Sequence, residues 1–210
     1  LPDAVTDAVT PWYVPIARAI PTIVVAAVVT FSADHTARLG LITFGAFGVV
    51  AGAIVIAWAL RIRTAPVVRG AGIAQGLITV VAGIAALAVT GGGLPYLVFV
   101  VSSFGVLTGL LELYLGLRSR RRDRSSRDWI FAGAFTALLA IVVLVVPPDL
   151  HFTFEGDNGV SGVLTASIIV VGVLGAYWAI LGVYLVIAGL SLKWAPRASQ
   201  DALLDAGGAA

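Results

Sequence analysis

The sequence predicts an all-α integral membrane protein of six transmembrane helices, arranged as three tandem helical hairpins with both termini in the cytoplasm. Three observations carry this expectation. Of 210 residues, 60% are hydrophobic and 11% charged, and mean hydropathy is +1.04; soluble domains are about 45–50% apolar and about 25% charged. A water-soluble globule of this size has no interior large enough to hide so much apolar surface, so most of the chain meets lipid. The apolar residues fall into six runs close to the ~20 residues that a bilayer crossing needs. The basic residues gather on alternate connections between those runs.

Taken in order, the first run, 16–33, is interrupted by Arg18 and Pro21. The second covers 39–60 and the third 70–89, and the fourth, 94–117, is continuous apart from Glu112. The fifth, 129–146, is stopped by Pro147-Pro148, since proline cannot continue a helix. The last apolar stretch, 160–192, is longer than one upright crossing, so a span at 163–192 either tilts or projects its first turns beyond the bilayer. A six-span domain of 16–195 therefore stands between a cytoplasmic segment, 1–15, and a cytoplasmic tail, 196–210, with an outer loop at 147–160. The first segment carries Asp3 and Asp7 and no basic start, so no signal peptide is expected in it. Methionine is absent, so residue 1 is not expected to be the first translated residue.

Orientation follows from charge. The connections at 34–38, at Gly91-Gly92-Gly93 and at 147–159 hold one base, Arg38, among the 13 basic residues. The opposite side holds Arg18, Arg61, Arg63, Arg69, the run from Arg118 to Arg127, Lys193 and Arg197. Positive charge stays on the cytoplasmic side of short loops, which places both ends inside and requires an even number of spans. Trp58, Trp129 and Trp194 mark the same inner boundary, where an indole is half wet and half apolar. One lysine against twelve arginines, with abundant Ala, Val and Gly, points to a GC-rich bacterial genome of actinobacterial type and hence to a bacterial cytoplasmic membrane.

A repeat runs through the even-numbered spans. Phe47-Gly48-Val49-Val50-Ala51-Gly52 returns 57 residues later as Phe104-Gly105-Val106-Leu107-Thr108-Gly109. A weaker third copy is read at Tyr184 to Gly189. Arg61 and Arg118 follow the first two copies at equal distance, and Arg18, Arg69 and Arg127 each open an odd-numbered span. Gly48/Gly52 and Gly105/Gly109 are small-xxx-small pairs, and Gly175, Gly182 and Gly189 draw a similar stripe at seven-residue spacing. Such glycines let two helix backbones approach closely; lining a pore is the other use they serve.

Three hairpins with a glycine-bearing second helix, the Phe-Gly-x-x-x-Gly segments and the outer stretch from Ala33 to Leu41 resemble the HdeD-like acid-resistance membrane protein family. The resemblance covers the chain from Arg18 to Lys193. It implies a small, stress-associated, non-catalytic inner-membrane protein and carries over no catalytic residues. The arginine run and the enlarged outer loop depart from that pattern.

Candidate chemistry is sparse. Glu112 is the one acid within an apolar run, and an intramembrane ionisable residue is a functional candidate by default. It lies six residues before Arg118, about 9 Å along a helix, near enough to the inner headgroups to meet them or to pair with Arg61 or Arg127. Arg118, Arg120, Arg121, Arg122 and Arg124 suit anionic lipid headgroups at about 1 kcal/mol per base, and equally serve to fix topology. The run lacks interleaved aromatics, which disfavours nucleic acid as a partner. In the outer loop His151, Asp149, Glu155, Asp157 and Asn158 match neither a calcium nor a zinc spacing, while Phe152 and Phe154 suggest a short extended segment. Asp34 and His35 are placed as a polar turn or helix cap, and His35 is the outer candidate for an acid sensor. Cysteine is absent, excluding disulfides and thiolate chemistry. No HExxH, GxSxG or phosphate-binding loop occurs, so no enzyme, cofactor or metal is expected.

Two functions follow. The first is a non-catalytic protein acting by association, as a homo-oligomer or as an accessory subunit of a membrane complex, motivated by the glycine-smooth helices. The second is a small transporter or proton or ion channel using Glu112. The second is disfavoured because the apolar runs show no evident polar lining at depth.

Overall fold

A computed structural model describes residues 12–61, 66–119, 126–155 and 161–194. Among them are six helices: α1 (Tyr13–Phe31), α2 (Ala37–Arg61), α3 (Pro66–Ala88), α4 (Gly93–Ser119), α5 (Ser126–Val145) and α6 (Ala166–Trp194). Five are long and apolar enough to cross a membrane, and α5 adds a shorter apolar stretch, Trp129–Val145. The chain is a helical membrane protein. Large apolar side chains such as Val24, Val81, Phe99, Ile141 and Ile180 face outward and exposed, as a surface solvated by lipid requires.

Two of the helix starts have a visible local cause. The hydroxyl of Thr36 accepts from the Leu39 N–H, and Asp34 accepts from both the N–H and the hydroxyl of Thr36, each at 3.0 Å. Free donors at the head of α2 are thereby capped. Gly93 opens α4 at φ +68°, a left-handed conformation that glycine adopts without a Cβ penalty. Proline does not break α1, which runs on through Pro21.

Among the described residues the regular structure is helical except for one short hairpin, and its first strand is the extended segment expected at Phe152 and Phe154. Strands β1 (His151–Glu155) and β2 (Ser161–Thr165) pair antiparallel, with Phe152 opposite Leu164. β2 occupies the first residues of the long apolar stretch, so α6 begins at Ala166 rather than at 163. A run of apolar residues does not by itself distinguish strand from helix.

Packing also corrects the hairpin pairing. The closest pairs are α2 with α3, α4 with α5, and α1 with α6. The pairs α1–α2, α3–α4 and α5–α6 touch less extensively. A methyl at Gly48 would fall 2.8 Å from the Gly83 Cα, and one at Gly109 would fall 2.8 Å from the Ala137 backbone nitrogen and 2.9 Å from the Gly133 carbonyl oxygen. Those backbones are in contact, which only glycine permits. On α6, Gly175, Gly182 and Gly189 face Val29, Ile23 and Ile16 of α1, so the last helix folds back on the first and closes the bundle. The small-residue stripes thus meet neighbours within the chain.

Between these pairs lies one continuous core. Leu41, Phe44, Leu97, Val101, Leu174 and Trp178 are fully buried in it. The Phe44 and Phe104 rings meet edge-on at 5.3 Å, and Phe47 and Trp178 at 5.5 Å. This apolar plug fills the half of the bundle nearer the α1–α2 and α3–α4 turns and the β-hairpin.

Candidate functional site: a polar cavity on the bundle axis

Below the plug, towards the basic end, the axis opens into a cavity of about 40 Å³. Its fifteen lining residues fall into five sets of three, one set member from each close-packed pair. On the odd helices the sets are Arg18, Gln75 and Ala132, then Thr22, Thr79 and Thr136, each 57 residues apart. On the even helices they are Phe47, Phe104 and Tyr177; Ala51, Thr108 and Leu181; and Val55, Glu112 and Leu185, spaced 57 and then 73 residues. The enlarged outer loop accounts for the longer second step. The sequence therefore encodes a pseudo-threefold bundle whose axis is the cavity.

This register corrects the third copy of the repeat. The cavity takes Tyr177, Leu181 and Leu185 from α6, so the matching segment is Tyr177 to Gly182, one heptad before Tyr184 to Gly189. Both segments carry the aromatic and the glycine because α6 repeats its glycines every seven residues.

Three threonines form one level of the lining. The Thr22 and Thr79 hydroxyls donate to the carbonyl oxygens of Arg18 and Gln75, each at 2.7 Å. Their lone pairs remain for the cavity. Thr136 instead exchanges a hydrogen bond with the Tyr177 hydroxyl at 3.0 Å. Thr108, between levels, donates to the Phe104 carbonyl oxygen at 2.7 Å.

The next level breaks the symmetry. Equivalent positions hold a cation (Arg18), an amide (Gln75) and a methyl (Ala132) on the odd helices, facing an acid (Glu112) and two aliphatics on the even ones. Glu112 is 5% exposed and accepts a hydrogen bond from the Gln75 amide. Its partner is thus Gln75 on α3, not Arg61 or Arg127, and it sits in the bundle interior rather than at the headgroups. Arg18 acts on Glu112 through its field. Among the described residues the two form no direct ion pair within 4.0 Å.

Arg18, Gln75 and Glu112 also line a second chamber of about 100 Å³, which continues past Trp58 and Trp129 to Val14, Pro15 and Leu192. These last residues lie in the first turn of α1 and the last turn of α6. The charged level is therefore the neck between an inner pocket and a vestibule at the basic end. The polar lining that the apolar runs do not reveal is present in the bundle interior: Thr22, Gln75, Thr79, Thr108, Thr136 and Tyr177 are all buried. Singly they vanish among apolar neighbours. The 57-residue period, carried from the glycine segments to the odd helices, would have aligned Thr22, Thr79 and Thr136.

The other candidates lie elsewhere. Arg118 is exposed at the end of α4, donating to the Tyr114 hydroxyl at 2.8 Å. Arg120, Arg121, Arg122 and Arg124 lie outside the described residues, as do Asp157 and Asn158. Among the described residues no three His, Cys, Asp or Glu side chains are grouped to hold a metal ion. Gly48, Gly52, Gly105, Gly109, Gly182 and Gly189 all lie against neighbouring helices.

Comparison with known proteins returns no matching family model, no matching curated protein and no matching solved structure.

Proposed function

We propose that this chain is a carrier-type protein of a bacterial cytoplasmic membrane, with both termini inside, that admits a small polar solute from the cytoplasm into its central cavity. The observation that carries it is the neck: Arg18, Gln75 and Glu112 from three helices meet at one level of an enclosed cavity. Ionisable groups in a membrane interior are costly and mark solute or ion pathways. The basic residues that flank the vestibule support a mouth on the cytoplasmic side. The apolar plug beyond Phe47, Phe104 and Tyr177 favours a carrier with an occluded outer half over an open channel. Same-direction repeats about an axis along the membrane normal are known in transporters. No catalytic step and no resident cofactor belong to this function, and Arg118 and its neighbouring arginines contact anionic lipid at the inner face.

The test is solute entry into proteoliposomes, followed by light scattering, with glycine, glycine betaine, choline chloride and sodium acetate as probes. Protein-dependent entry of at least one probe that Glu112→Gln abolishes is the expected result. Entry that is independent of the protein for every probe contradicts the proposal.

A second function, an HdeD-like protein acting by association with itself or with a membrane complex, is supported by one observation. The outer hairpin projects Phe152 and Val163, 60% and 50% exposed. The glycine stripes no longer support it, because they meet partners inside the chain. Native mass spectrometry of the gently extracted protein tests it; a homo-oligomeric or heteromeric mass supports it, and a lone monomer contradicts it.

A further inference from the structure

The neck carries two opposite charges held apart, and that arrangement selects a ligand. Arg18 comes from α1 and Glu112 from α4, and both line the inner pocket and the vestibule. Among the described residues they are not joined by a direct ion pair. Structural ion pairs in a low-dielectric interior are stable only when their geometry is close and their remaining donors and acceptors are satisfied. Here the guanidinium has donors free for a ligand, and the carboxylate has one oxygen engaged by Gln75 and acceptor capacity left over.

We infer that the solute bound at this neck is a small zwitterion, an α-amino acid or a betaine, with its carboxylate on Arg18 and its ammonium group on Glu112. This inference rests on the carrier function proposed above. A guanidinium presents a planar fork that fits a carboxylate with two parallel hydrogen bonds. The Glu112 carboxylate gives the ammonium group its counter-charge. A solute with a single charge would neutralise one of the two groups and leave the other facing it uncompensated, a costly outcome in an enclosed site. A zwitterion compensates both and leaves the net charge of the neck unchanged.

The vestibule adds two features in the same sense. Trp58 and Trp129 line its wall, and indole faces attract organic cations. The chamber of about 100 Å³ has room for several waters, each needing about 10–15 Å³ of such space, a size for a solute of few heavy atoms rather than a lipid.

The experiment is isothermal titration of the full chain in lipid nanodiscs with four probes: alanine, glycine betaine, choline and propionate. Choline keeps the cationic end alone, and propionate the anionic end alone. The expected result is binding of at least one zwitterion with both single-charge probes weaker by about tenfold or more, the equivalent of about 1.4 kcal/mol or more. Arg18→Gln then removes the preference for betaine over choline, and Glu112→Gln removes the preference for alanine over propionate. Phe99→Ala, on the lipid-facing side, serves as the handling control and keeps both preferences. Choline binding as tightly as betaine, or propionate as tightly as alanine, overturns the zwitterion while leaving the carrier standing. Zwitterion selectivity that survives both variants overturns the assignment to Arg18 and Glu112. Absence of binding by all four, together with absence of entry in liposomes, overturns carrier and zwitterion together. The selectivity of the unmodified chain decides between zwitterion and single-charge solute even where a variant does not fold.

Discussion

Glu112 illustrates what a single residue contributes and what a sequence reveals of it. As the one acid within an apolar run it is conspicuous, and its distance from Arg118 fixes its approximate depth. Its direction is not fixed, because the azimuth of a side chain depends on how helices dock, and Gln75 is 37 residues away in the chain. The docked bundle turns it inward, against Gln75 and within the field of Arg18. Replacing Glu112 by Leu removes the acceptor of the buried Gln75 amide and the counter-charge in whose field Arg18 sits, and should destabilise by about 1–3 kcal/mol. The double change Arg18→Gln with Glu112→Gln is milder than the sum of the single ones. A double-mutant cycle by thermal unfolding in detergent should give a coupling of about 0.5–3 kcal/mol; additive effects would show that the two charges do not interact. Thr136 offers a second check. Thr136→Val removes the partner of the buried Tyr177 hydroxyl and should destabilise by about 1–3 kcal/mol, an effect that a Tyr177→Phe background largely cancels.

At the scale of elements, all six helices were legible within a few residues from hydropathy and proline. Of the strands, the first was legible as an extended segment at Phe152 and Phe154, and the second was not. Residues 161–165 run without a break into the apolar helix that follows them, and strand pairing with 151–155 comes from across a loop. The glycine stripes were legible as packing surfaces, but not their partners, since a small-xxx-small face says only that something comes close. The partner is the next helix in sequence for α2 and α4, and the first helix for α6. Gly48→Ala places a methyl 2.8 Å from the Gly83 Cα, where neither backbone can yield cheaply. The expected loss is about 1–3 kcal/mol, read as a lower melting temperature in detergent. Gly172→Ala has nothing within 4 Å of the new methyl and should melt like the unmodified protein. Equal melting of the two variants would contradict the α2–α3 interface described here.

For the whole molecule, a threefold scaffold carries chemistry that is not threefold. The repeats supply three hydroxyls at one level, at Thr22, Thr79 and Thr136, and then place a base, an amide and an acid on a single level below it. The period was visible in the even helices, yet its third copy was misplaced by one heptad because the outer loop lengthens the last repeat and α6 offers two matching frames. The β-hairpin is an addition to one repeat of a bundle whose other two outer turns are short. Replacing residues 150–163 by a short glycine turn should therefore leave a folded, monodisperse six-helix bundle by size exclusion and circular dichroism. Loss of the fold would make the hairpin part of the core.

Because the chain has no cysteine, single cysteines can report water access without background. The most direct measurement is labelling of Ala188→Cys, Thr79→Cys and Val101→Cys by a membrane-impermeant thiol reagent, in sealed vesicles of both orientations. Ala188 lies in the vestibule, Thr79 in the inner pocket and Val101 in the apolar plug. Labelling of Ala188→Cys and Thr79→Cys from the cytoplasmic face, faster than that of Val101→Cys, is the result expected of a water-filled cavity open to the cytoplasm. Failure of Thr79→Cys to label from the cytoplasmic face, or Val101→Cys labelling as fast as Ala188→Cys, would contradict it.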